Sequence, residues 1–256
     1  MLPEKDQRIL NGFACECFLD TADFDYVSAR ASYRMGLIQH FQWNALQSIE
    51  KYFKAILLFN GKSSKNLGHN IEKAHRRVRT IETFDIPLKE SSIRLMSELN
   101  RFGENRYLER ESHTKGNELL TLDLTVWSIR KYCQVLDFEV TLPSGKRRNI
   151  LREKLIEIES KMYKENPSKF KLIGGKLESI INRPREDLLR QNLIWKNFYY
   201  GKRTKKKVKN FKCNMYSVYP PHIREPEKIE LLKKYALIPG EKQEDISVCA
   251  QCGEEI

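Results

Sequence analysis

Between Phe198 and Phe211 aromatic rings and cations share one short stretch. Phe198, Tyr199 and Tyr200 lead into Gly201, and Lys202, Arg203, Lys205, Lys206, Lys207, Lys209 and Lys212 follow, with Phe211 among them. Lysines neutralise phosphates and flat rings stack unpaired bases, so this pattern points to single-stranded nucleic acid rather than a membrane surface. Read blandly, the rings close a buried helix and the cations form a solvated tail. A second constellation is Cys249-Ala250-Gln251-Cys252-Gly253, whose spacing lets two thiolates grip one tetrahedral zinc. That is half a structural zinc site, which Cys213 and His222 would complete; Cys15 and Cys17 are further donors, and free thiols or a redox pair are the alternatives. His75 stands among Arg76, Arg77 and Arg79, either a phosphate contact or a solvated helix face.

The elements that carry these groups read as helices. Tyr26, Ala29, Tyr33 and Leu37 recur at steps of three and four, and a second helix from about residue 40 to 60 buries Leu46, Ile49, Phe53, Ile56 and Leu57. Asn60-Gly61 ends it. Shorter helices are expected near 70–80 and 91–102. Leu119, Leu122, Val126, Ile129, Cys133, Leu136 and Val140 then form a continuous apolar seam. At the usual helical rise such a seam is about 30 Å long. Leu142-Pro143-Ser144-Gly145 is a turn cluster and the expected domain boundary. Beyond it, Asn149 caps a helix over about 150–165 with Leu151, Leu155, Ile158 and Met162 inward, Pro184 opens another to about 199, and helical potential returns near 226–236. Strand alternation is not evident. The expected architecture is all-α: an irregular segment over 1–20, a helical bundle over 21–141, and a basic, partly helical region of unknown fold over 146–256.

Charge divides the chain at the same place. Residues 1–140 hold 20 Lys and Arg against 19 Asp and Glu, and residues 141–256 hold 26 against 15. Nearly all of the net +12 therefore lies in the second part, where it suits a polyanion. The terminus is charged from its fourth residue, unlike a secretory leader. No apolar run comes near the roughly 20 residues that span a bilayer. Together these predict a cytoplasmic protein with no membrane partner. Six cysteines in a chain of this length imply reduced thiols.

From Asp25 to about Leu136 the chain resembles the HEPN family of small helical domains. The residues that carry the resemblance are Asp25-Tyr26 and Ala29-Arg30, the helix Ala45-Leu46-Gln47-Ser48-Ile49-Glu50-Lys51-Tyr52-Phe53-Lys54-Ala55, then Gly68-His69-Asn70 and Asn105-Arg106-Tyr107. The resemblance implies an up-and-down helical bundle that forms a homodimer. It also implies one of two roles: a ribonuclease of a toxin–antitoxin or defence type, with an antitoxin or nucleotidyltransferase-like partner, or a non-catalytic module that binds nucleic acid or nucleotide or serves assembly. Its catalytic motif is an Arg and a His before the last long helix, which Arg106 and His113 match with six residues between them. A His near its ordinary pKa can take the proton of a ribose 2′-OH, and an Arg can hold the scissile phosphate, with no metal required. Tyr107 stands where active members carry a small polar residue, and Glu109 and Glu111 lie between the pair. The other reading of Arg106 is an ion-pair partner of Glu104 or Glu109. His69 is expected to cap or pack rather than react.

Overall fold

The computed structural model describes residues 3–102, 112–114, 116–201, 214–216 and 225–235. Its chain order begins with α1 (Glu4–Phe13), which runs through a π-helical stretch, Ala14–Leu19, into α2 (Asp20–Arg34). Residues 4–19 are thus helical rather than irregular. Pro3 precedes the first turn, and Glu4 and Asp6 lie where the positive end of the helix dipole favours them. Gln7 Nε2 donates to the Leu58 carbonyl at 3.0 Å. The helix-end signals and this long-range bond hold α1 even though it buries no residue.

Next come α3 (Ile38–Phe59), α4 (Ile71–Val78) and α5 (Glu90–Phe102), close to their sequence-predicted spans. Both α2 and α3 stop by the same device. Gly36 and Gly61 take positive φ, their N–H groups bond Tyr33 and Leu58, and the next residues, Leu37 and Lys62, bond back to Ser32 and Leu57. The stop at Gly36 turns Leu37 out of the α2 stripe, leaving it exposed. Asn70 caps α4. Its Oδ1 accepts from the Lys73 N–H at 2.7 Å.

The strand β1 (Ser112–Thr114) precedes α6 (Glu118–Arg130). The expected 119–140 seam is interrupted. Leu119, Leu122, Val126, Ile129, Cys133 and Leu136 are buried, but the helix ends at Arg130 and Val140 is exposed in β2 (Glu139–Thr141). Contacts to a later segment take over at that point: Lys131 Nζ donates to the Ile158 carbonyl and the Tyr132 hydroxyl to Glu159. β2 pairs antiparallel with β3 (Arg147–Asn149), Val140 opposite Arg148, so the Leu142–Gly145 cluster is a hairpin turn. β1 pairs with a distant strand, β4 (Asn214–Tyr216). Such three-residue pairs are too short to show alternation in sequence.

α7 (Leu151–Glu159) and α8 (Lys161–Glu165) replace the single expected helix, because Ser160 is extended and caps the second. Met162 is consequently exposed. Asn149 Oδ1 does accept from the Leu151 N–H at 3.0 Å. α9 (Lys176–Ile181) and α10 (Leu188–Ile194) follow, the latter shorter than expected because Asp187, not Pro184, caps it. α11 (Pro226–Tyr235) ends the described chain. Helices dominate, as expected of an all-α bundle. Phe170, Leu172, Leu177, Ile180, Leu193 and Tyr200 join Tyr26, Ile49, Phe53 and Ile129 in a single apolar core, so residues beyond the hairpin pack on the bundle itself.

His75 lies half-buried in that arrangement, its ring stacked on Phe53 at 5.4 Å. Burial pushes its pKa below the ordinary 6.5, Arg79 adds to this, and Asp85 opposes it. The unfolded chain therefore takes up this proton first as pH falls, so the neutral ring's contribution is complete above about pH 6.5 and is lost below it. Urea unfolding midpoints of wild type should fall more steeply from neutral to mildly acid pH than those of His75→Phe. Parallel curves would refute this.

Candidate functional site

His113 occupies the middle of β1, opposite Met215, with Thr114 opposite Asn214 and Ser112 opposite Tyr216. The pairing brings β4, which begins two residues after Lys212, beside the candidate catalytic histidine. Arg106, the cations from Lys202 to Lys212, and the zinc candidates Cys213, His222, Cys249 and Cys252 lie outside the described residues. Among the described residues no group of three or more His, Cys, Asp or Glu is placed to hold a metal ion.

Elsewhere, charge is concentrated in the core between α2 and α6. Asp23 and Arg30 sit seven residues apart on α2, as do Asp123 and Arg130 on α6, and they pair crosswise. Arg130 Nε and Nη2 donate to the two Asp23 oxygens at 2.7 and 2.8 Å, while its Nη1 and Nη2 grip both oxygens of Glu178 at 2.8 and 2.7 Å. Arg30 Nη1 donates to Asp123, which also accepts from the Tyr26 hydroxyl at 2.6 Å. Bidentate arginine pairs of this kind are the strong ones. Desolvation works against ionised Glu178, yet the Arg130 hydrogen bonds hold its pKa below the usual carboxylate value.

The network also reaches past the bundle. Asp23 Oδ2 accepts from the Lys176 and Leu177 N–H groups at 3.1 Å each, in the first turn of α9. Arg30 donates to the Asn192 carbonyl at 3.0 Å and to that of Trp195, at the end of α10. Asn197 bonds Tyr26 and accepts from the Tyr199 and Tyr200 N–H groups. A buried frame thus fixes the segment immediately ahead of the basic run.

On α3, Glu50 is buried and its carboxylate meets His69 Nδ1 at 2.9 Å, with Lys54 on its other oxygen. The carboxylate selects the Nδ1–H tautomer. The ring packs edge-on to Trp43 at 5.3 Å. His69 therefore latches its loop to α3. In the neighbouring arginine cluster, Arg77 is spent on the Ser63 and Lys65 carbonyls.

Residues 15–118 match the family model of the HEPN domain. The N-terminal half of the chain carries a HEPN domain. No curated protein and no solved structure matches the chain. Arg106 and His113 fall inside the HEPN match, which ends at Glu118, the first residue of α6. Asp123, Arg130 and Glu178 lie beyond it, and sequence reasoning missed all three together with Asp23. The signal that could have found them is the Asp-x6-Arg spacing repeated on two helices. Opposite charges at equal intervals on antiparallel helices pair reciprocally. Among the described residues no helix is long and apolar enough to cross a membrane.

Proposed function

We propose that this HEPN-domain chain is a metal-independent endoribonuclease of a toxin–antitoxin or defence type, acting as a homodimer with Arg106 and His113 at its centre. The observation that carries this reading is the β1–β4 pairing, which sets the strand following the basic run against the strand of His113. An RNA gripped by Lys202–Lys212 is thereby tethered to the neighbourhood of the reacting group. In the reaction, His113 of one copy takes the proton of a ribose 2′-OH, and the freed oxygen bonds to the adjacent phosphorus. The bond from phosphorus to the 5′ oxygen breaks, and the leaving oxygen takes a proton from His113 of the other copy. Arg106 stabilises the charge on the phosphoryl oxygens. The products are a 2′,3′-cyclic phosphate and a 5′-hydroxyl.

Incubation with single-stranded RNA and with DNA of the same sequence, both in excess EDTA, tests the reading. RNA should be cut to 5′-hydroxyl fragments while DNA stays intact. Intact RNA, or DNA cut equally well, would refute it. Binding to RNA without any cleavage would instead favour the non-catalytic nucleic-acid-binding module.

A further inference from the structure

A groove of about 610 Å³ opens between the end of α2, α9, α10 and the turn up to Gly201. Its wall carries Arg34, Arg185, Arg190 and Trp195, and among the described residues no carboxylate lines it. We propose that this groove binds the phosphodiester backbone of single-stranded RNA and leads the strand into the basic run. The choice of RNA rests on the function proposed above; the location does not depend on catalysis at His113.

Four features support the assignment. All the charge that the described residues bring to the groove is positive, from three arginines set among apolar and aromatic side chains, in a volume typical of ligand sites. The Arg34 guanidinium lies 5.6 Å from the Trp195 ring centre and the Lys196 ammonium 5.4 Å. The indole is thus flanked by positive charge, as in sites that stack bases while tracking phosphates. The cations are set in place rather than loose. Arg34 donates to Asn192 Oδ1 at 3.3 Å, Arg190 Nε donates to the Ile181 carbonyl at 2.9 Å, and buried Arg30 holds the Asn192 and Trp195 carbonyls from behind. Only Arg185 extends without a hydrogen bond or ion pair from its side chain among the described residues, as an exposed arm at the rim. Finally, the groove ends at Gly201, where any Cβ would collide with the Asn197 carbonyl oxygen, so the chain passes closely over its own turn before Lys202.

An acidic peptide is a weaker occupant. It would match the arginines but would leave the adjoining alternation of Phe198, Tyr199, Tyr200 and lysines without a role.

Fluorescence anisotropy with a labelled 2′-O-methyl oligouridylate, which binds but cannot be cleaved, tests the groove. Arg34→Glu with Arg185→Glu should weaken binding by at least about tenfold and flatten the logarithmic salt dependence by about 1.4, the loss of two single-strand phosphate contacts. Arg185→Glu alone, at a side chain that holds nothing in the fold, should weaken it in the same direction. Lys5→Glu with Lys62→Glu, an equal charge change on α1 and the loop after α3, should stay within about twofold. Equal losses in both double variants, or none in the groove variants, would overturn the groove while leaving the ribonuclease reading intact. Poly-L-glutamate competing as well as RNA would also overturn it. Failure of wild type to bind the oligonucleotide would overturn both, and groove-dependent binding without cleavage would sink the ribonuclease reading alone.

Discussion

Replacing Arg130 with Met is expected to remove about 3–5 kcal/mol of folding stability, the usual consequence of stranding a buried charge. Asp23 is fully buried and among the described residues would keep as hydrogen-bond donors only the Tyr52 hydroxyl at 2.7 Å and two backbone N–H groups. Glu178 would lose both of its Arg130 bonds as well. Against a total of about 5–15 kcal/mol for an ordinary domain, that loss shows as a large drop in the urea midpoint. The damage should be greatest in residues 170–201, because the Asp23–Arg130–Glu178 group ties α9 to α2 and α6; hydrogen exchange would report it there first. Arg8→Met, which breaks an ion pair with both side chains largely exposed, should leave the midpoint unmoved. Similar midpoints for the two variants would mean that the crosswise pairs do not hold this core.

Much of the scaffold was legible because its local signals agree. The α3 stripe and its Asn60-Gly61 stop, the short α4 and the start of α6 each follow from periodicity and capping. Elements decided by distant contacts were not. Lys131 and Tyr132 bond to Ile158 and Glu159, so the chain leaves the helix while its apolar period continues. β1 exists only because β4 pairs with it across about a hundred residues of sequence. The candidate histidine was legible through a family motif, whereas its strand was not. The charged core hid for a different reason. Helical stripes are read from apolar residues, and Asp23, Arg30, Asp123 and Arg130 lie on inward faces where a count of hydrophobic positions passes over them.

His113→Ala is the second change with a large expected effect. Removing a general acid–base imidazole typically costs about 10²–10⁴ in rate, and a homodimer using one copy as base and the other as acid loses both functions at once. The fold should be spared. β1 is held by main-chain pairing with β4, which an alanine keeps. Arg106→Ala should cost about 10²–10³ by removing charge stabilisation at the phosphoryl oxygens.

Single-turnover cleavage of one RNA by wild type and by His113→Ala, with urea unfolding of both recorded in parallel, tests the assignment most directly. The expected result is a rate loss of at least about a hundredfold with superimposable unfolding curves. Equal cleavage rates from two equally folded proteins would contradict it.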